Sequence, residues 1–265
     1  MGKYIKNSYK NIFLLVLLSI LFSSEINDYC SVCLHKLDEK YLVDVWENKF
    51  HDYHEHNGQY CNSCSRLISE GLTHGGYKTI DNRYICSLCY PGLIYQNTSV
   101  ETSRQHVLKQ LEKIGFLELP QNISIILLDK LALLNISEDA YHKNLKGFTK
   151  IRNKINSFDK YTIYILNNLH QIEFEAVLAH EYLHIWQDNF NIKINNTNSE
   201  GLCNLASGLI YDNYNNQYSK ILKTTLNNDP TIYGDGYRNM LVIKNEIGWS
   251  RFIEKIKTKS FSLIK

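Results

Sequence analysis

The chain has 265 residues, of which 44% are hydrophobic and 12% aromatic, enough apolar material to bury a core and too much for a disordered chain. Its 29 basic and 27 acidic residues leave a formal net charge of +2, which offers no electrostatic footing for nucleic acid as a partner.

At the N-terminus Lys3, Lys6 and Lys10 precede an apolar run, Ile12 to Phe22, that ends at Ser23, Ser24 and Glu25. This is the layout of a secretory signal over residues 1–24, with cleavage expected near Ser24. The run is short for a permanent span, and no later stretch approaches the roughly 20 apolar residues that a span needs. Export to a periplasm or the medium is expected, with no stable membrane span in the mature chain. An uncleaved N-terminal anchor or a buried helix is the alternative.

Six of the seven cysteines fall between Cys30 and Cys89, which marks residues 28–91 as a module of their own. They form three Cys-x-x-Cys pairs, Cys30 and Cys33, Cys61 and Cys64, Cys86 and Cys89, with His51 and His54 between the first two pairs. Pairs this close suit tetrahedral zinc, and six thiolates with two imidazoles supply the ligands of two structural ions. His56 is an alternative ligand to His54. Disulfides are the rival reading, since an exported protein meets an oxidising compartment.

The polar stretch Tyr95 to Ser103 reads as a linker, after which a second domain is expected over residues 104–260. Thr102 or Ser103 caps a helix bearing Val107, Leu108, Leu111 and Ile114, which Gly115 ends. Ile123 to Leu128 and Tyr161 to Leu166 read as strands. From Ile172 the pattern turns helical through FEAVLAHEYLHIWQ, and a second helix is expected from Ser199 to about Tyr214.

His180 and His184 stand four apart in HEYLH, so on a helix both imidazoles leave one face and can bind one ion, a catalytic zinc. Glu181 beside them suits the general base that takes a proton from an activated water. Apolar Val177, Leu178, Leu183 and Ile185 indicate a partly buried helix, as a rigid metal platform requires. Position 190 is Phe190, which leaves no histidine six residues on; Glu200, at the head of the next helix, is the third ligand expected. An ordinary first-turn carboxylate is the alternative role of Glu200. Asn204, one turn later, can orient a ligand histidine.

A cysteine module of this order, then LAHEYLHIW at Leu178 to Trp186, EGLCNLA at Glu200 to Ala206 and YGDGYR at Tyr233 to Arg238, resembles the DA-one family. These are LIM-domain-containing HExxH zinc peptidases, known as plant organ-size regulators and with bacterial relatives. The resemblance covers about Cys30 to Ile256. It implies Cys30, Cys33, His51 and His54 at one structural zinc, Cys61, Cys64, Cys86 and Cys89 at the other, His180, His184 and Glu200 at the catalytic zinc, and Glu181 as catalytic base. Two departures stand out: His54 replaces the usual cysteine, and six residues separate it from Cys61 where LIM domains have two. Cys203 reads as a buried packing residue. YGDGYR precedes a helix, where it is either a glycine turn with a capping aspartate or a source of groups that steady an oxyanion or a ligand, Tyr233 and Arg238 at the reaction centre and Asp235 behind it. The ubiquitin-interacting helices of the plant members have no counterpart here, so ubiquitin is not expected as a partner.

The fold class expected is α+β: a small two-zinc LIM-like module followed by a mainly helical gluzincin-type metallopeptidase domain acting on a protein or peptide substrate. The alternative is a LIM-like protein-binding module on an inactive peptidase-like scaffold.

Overall fold

Cys30 and Cys61 open two turns of the same design. In each, the residue after the second cysteine, Leu34 or Ser65, takes a φ of 63°. Cys30 N–H donates to the His35 carbonyl and Cys61 N–H to the Arg66 carbonyl, both at 2.8 Å. An isolated bridge closes each base, Tyr29 with Lys36 and Tyr60 with Leu67. The repeat lies in the backbone, and the sequence betrays it only through the cysteine spacing. These turns belong to a computed structural model that describes residues 29–121, 123–137, 145–152 and 160–258. The expected signal at residues 1–24 lies outside the described residues.

The chain divides into two units between Leu88 and Cys89. The first contains the antiparallel pair β1 (Leu42–Val43) and β2 (Lys49–Phe50), short helices α1 (Tyr53–Asn57) and α2 (Glu70–Thr73), and the antiparallel pair β3 (Gly76–Lys78) and β4 (Tyr84–Cys86). Its buried apolar residues are few: a cluster of Cys30, Phe50 and Leu67, with Cys61, Cys64, Ile85 and Cys86 also buried.

The second unit carries the large core. Strand β5 (Leu93–Ile94) pairs antiparallel with β9 (Leu169–His170), and a three-stranded sheet runs β6 (Ser124–Leu128), β8 (Tyr161–Leu166), β7 (Gly147–Ile151). β6 is parallel to β8 and β7 antiparallel to it, so β8 is central and wholly buried while β7 is an edge. The helices are α3 (Asn97–Ile114), α4 (Lys130–Ser137), α5 (Gln171–Asn189), α6 (Asn196–Tyr214), α7 (Gln217–Asn228) and α8 (Ile232–Lys257), the last interrupted at Gly248. Phe116, Leu178, Tyr182, Trp186, Leu202, Ile210, Met240 and Phe252 lie at the centre of the core. The architecture is mixed α+β. Among the described residues no helix is long and apolar enough to cross a membrane.

Three boundaries differ from the sequence reading. The expected linker is mostly the start of α3: Ser99 Oγ donates to Gln96 O at 2.7 Å and Thr102 Oγ1 to Thr98 O at 3.0 Å, so these polar side chains are satisfied on the helix itself, and Val100 is buried. Helix α6 starts ahead of Ser199 because Asn195 caps it, accepting from Asn198 N–H at 2.8 Å. YGDGYR lies inside α8, where the sequence suggested a turn. Its two glycines allow close packing, Gly234 against Asp229 just ahead of the helix and Gly236 against α6. A Cβ on Gly201 of α6 would fall on the Gly236 backbone, and one on Gly236 would meet the Gly201 Cα at 2.9 Å. The two helices therefore touch backbone to backbone beside Glu200.

Candidate metal centres

In the first unit, Cys30, Cys33, His51 and His54 offer ligand atoms all within 4.8 Å of one another. His51 Nε2 is 3.0 Å from the Lys36 carbonyl, which can only accept, so Nε2 carries the proton. The lone pair is then on Nδ1, which faces Cys33 Sγ at 3.5 Å. His54 Nε2 is buried with no hydrogen-bond partner, as a nitrogen reserved for a metal would be. His56 is exposed and outside the group. Tyr53, which the sequence reading passed over, stacks on His51 at 5.0 Å and brings its hydroxyl 3.3 Å from His51 Nδ1. Burial opposes ionisation of Cys30, yet the backbone N–H groups of Cys33, His51 and Val32 outweigh it and bring the thiol down to about 7.

Cys61, Cys64, Cys86 and Cys89 form the second group, all buried. Cys86 N–H donates to Cys61 Sγ at 3.3 Å, and Trp46 Nε1 donates to the Cys64 carbonyl at 2.7 Å, fixing the turn from outside. None of the seven cysteines forms a disulfide; Cys64 Sγ and Cys86 Sγ stand 3.7 Å apart. Soft thiolates and imidazoles in fours are a donor set that zinc fits.

The third group lies on α5 and α6. His180 Nε2 is 3.2 Å from His184 Nε2 and 3.1 Å from Glu200 Oε2, and His184 Nε2 is 3.8 Å from Glu200 Oε1. Two nitrogens held tetrahedrally at zinc bond lengths are about 3.3 Å apart, so the three side chains already have the spacing of one ion's ligands. Cys203 Sγ also lies within 4.8 Å of ligand atoms of both histidines. It meets His184 at Nδ1, at 3.5 Å, on the side of the ring away from Glu200. One ion cannot take both nitrogens of the same ring; Glu200 converges with His180 on the Nε2 side of His184, and Cys203 lies on its Nδ1 side.

Asn204 decides the orientation of His180. Its Nδ2 donates to the Tyr233 carbonyl at 3.0 Å, so its Oδ1 faces His180 Nδ1 at 2.9 Å and must accept from it. Nδ1 then carries the proton and Nε2 is left with its lone pair towards the group. Tyr233 thus enters the site through its backbone carbonyl. Arg238 is tied to the Asn227 and Asp229 carbonyls and to the Asp235 carboxylate, with Asp235 exposed. Those contacts occupy both side chains at the start of α8.

Glu181 is buried and turned towards β7. Thr149 Oγ1 donates to its Oε2 at 2.7 Å, and a Cβ on Gly147 would stand 2.6 Å from its Oε1, so the strand leaves space for the carboxylate. Burial pushes the Glu181 carboxyl up to about 7, with His180 and the Thr149 hydroxyl pulling the other way. Burial and then the charge of His180 press His184 down to about 4, whereas at His180 the adjacent Glu200 carboxylate overrides burial and raises the value. Thr149 and Gly147 were not legible beforehand, because the sequence carries no signal that joins a strand to a helix this far along.

Comparison with protein-family models, curated proteins and solved structures returned no match.

Proposed function

We propose that the chain is a zinc-dependent peptidase of gluzincin type, with His180, His184 and Glu200 as ligands of the catalytic zinc and Glu181 as general base. One observation carries the reading: two imidazole Nε2 atoms and a carboxylate converge at 3.1 to 3.8 Å beside the buried Glu181 carboxyl. The order of motifs that resembles the DA-one family supports it. Zinc, when bound, supplies a water acidified towards neutral pH and a charge that polarises the carbonyl under attack. The protein's own groups do the rest. Glu181 takes the proton of the attacking water and passes it to the departing amine nitrogen. Thr149 holds one carboxylate oxygen and leaves the other to exchange the proton. Asn204, anchored on the Tyr233 carbonyl, keeps His180 in the tautomer that presents Nε2.

In this reading residues 28–91 are a LIM-like module with two structural zinc ions, and the lysine-led apolar N-terminus exports the protein. Its exposed Tyr41, Val43 and Val45, on and beside β1, favour a second role for the module in engaging a protein.

The test is zinc content per chain together with cleavage of an unfolded protein such as reduced casein. Three zinc ions and cleavage that Glu181→Gln abolishes are expected. Two ions, or cleavage equal in parent and variant, would overturn the assignment.

A further inference from the structure

Single buried cysteines mostly pack, and the sequence gives Cys203 no other role. Its surroundings do. Ser199 Oγ donates to Gln187 Oε1 at 2.8 Å, which fixes the amide of Gln187, and Gln187 Nε2 then donates to Cys203 Sγ at 3.0 Å. The sulfur lies 3.5 Å from His184 Nδ1. Four side chains from α5 and α6 thus form one line, Ser199 to Gln187 to Cys203 to His184, that ends on a proposed ligand. The other histidine has the matching arrangement through Asn204 and the Tyr233 carbonyl.

We propose that Cys203 is a positioning residue: its sulfur accepts the Nδ1 proton of His184 and so holds the ring with Nε2 towards His180 and Glu200. This rests on the zinc site proposed above. A neutral imidazole that ligates through Nε2 keeps its proton on Nδ1, and in a buried site that proton needs an acceptor. Cys203 is fully buried, and the sulfur is the acceptor that the structure offers on this side of the ring. Gln187 has a part of its own, since its amide donates to the sulfur and sets where the lone pairs lie. Ligand histidines usually lean on a carboxylate or a carbonyl. Here both lean on neutral groups, an amide oxygen and a sulfur, so neither ring is driven towards imidazolate and the ligand set keeps the charge of Glu200 alone.

Packing and positioning rank substitutions in opposite order. Valine fills the space of a cysteine but accepts no hydrogen bond, whereas serine accepts one but puts a hydroxyl among apolar groups. For a packing residue, Cys203→Val should equal or exceed Cys203→Ser in every measurement. For a positioning residue, Cys203→Ser should bind the third zinc more tightly than Cys203→Val, although Cys203→Ser is the less stable protein. The full chain is titrated with zinc against a chromophoric chelator, and the unfolding of chelator-treated protein is followed by circular dichroism as the separate measure of packing. The expected result is a loss of third-site affinity of about tenfold to a hundredfold in Cys203→Val, with most of it regained in Cys203→Ser. Gln187→Leu, which leaves the sulfur in place but unheld, should lose less. Equal third-site affinity in Cys203→Val and the parent overturns this proposal alone. A parent that takes up only two zinc ions overturns it together with the zinc site on which it rests.

Discussion

Thr149 Oγ1 reaches both the Glu181 carboxylate, at 2.7 Å, and the Glu181 carbonyl, at 3.2 Å, so one hydroxyl on an edge strand pins the base and the turn of helix that bears it. Thr149→Val keeps the shape and removes the donor. A hydrogen bond to a charged group is worth about 1.5 to 3 kcal/mol, so peptide cleavage should fall by roughly tenfold or more with zinc content unchanged. The hydroxyl favours the charged carboxylate, and its loss should move the acidic limb of the rate profile to higher pH. An unmoved limb would show that the contact does not reach the reacting carboxyl.

Ligands and base should part company in metal analysis. His184→Ala and Glu200→Ala should each lower the zinc content from three ions to two, while Glu181→Gln keeps three and loses activity by about a hundredfold to ten-thousandfold. A Glu200→Ala protein that retains the third ion as tightly as the parent would place the third ligand elsewhere.

The metal-free protein should show a pH dependence set by Glu181. Its carboxyl titrates near 7 when folded against an ordinary 4.5, so between those values the folded state binds the extra proton. The contribution of Glu181 to stability therefore falls as pH rises from about 4.5 to 7 and stays reduced above it, whereas that of His184, pressed down to about 4, has the opposite sign over part of that range. Glu181→Gln removes the titration. In chelator the variant should be the more stable at pH 8, by up to about 3 kcal/mol, and the gap should close by pH 5. Thermal unfolding of the helical unit at the two pH values reads this, and a gap of equal size at both would refute it.

The backbone contact between α6 and α8 should be intolerant of any side chain. A methyl at Gly201 has the Gly236 backbone where it would stand, and backbone cannot swing aside as a flexible side chain does. Gly201→Ala should cost about 1 to 3 kcal/mol and, by displacing the start of α6, should also weaken zinc binding through Glu200. Substitution at Gly248, whose Cβ would meet nothing within 4 Å but whose φ is 75°, should cost stability through backbone strain alone and leave metal affinity unchanged.

In the first unit Cys61→Ser or Cys86→Ser should release about one zinc ion and unfold the module, because its small apolar cluster holds little of the folding energy. The helical unit should keep its own ion. Mass spectrometry under non-denaturing conditions counts the ions in each variant.

The spacing of the candidate ligands was legible in the sequence, since helical and Cys-x-x-Cys spacing are local. Four residues make one turn and a little more, so HEYLH placed two imidazoles on one face before any tertiary contact was known. Cys-x-x-Cys did the same for the thiolates, and Gly115 marked a helix end that its φ of 109° accounts for. Whatever depended on residues far apart was decided by the tertiary structure. Asn204 against His180, Thr149 against Glu181 and Cys203 against His184 meet only because α5, α6 and β7 pack together, and hydrogen bonds at that range leave no period in the sequence. The glycines of YGDGYR show the limit most plainly. Locally they read as a turn, because glycine frees the backbone, yet they lie in a helix, where the close approach of Gly201 leaves no room for a side chain at Gly236 and Asp229 leaves none at Gly234.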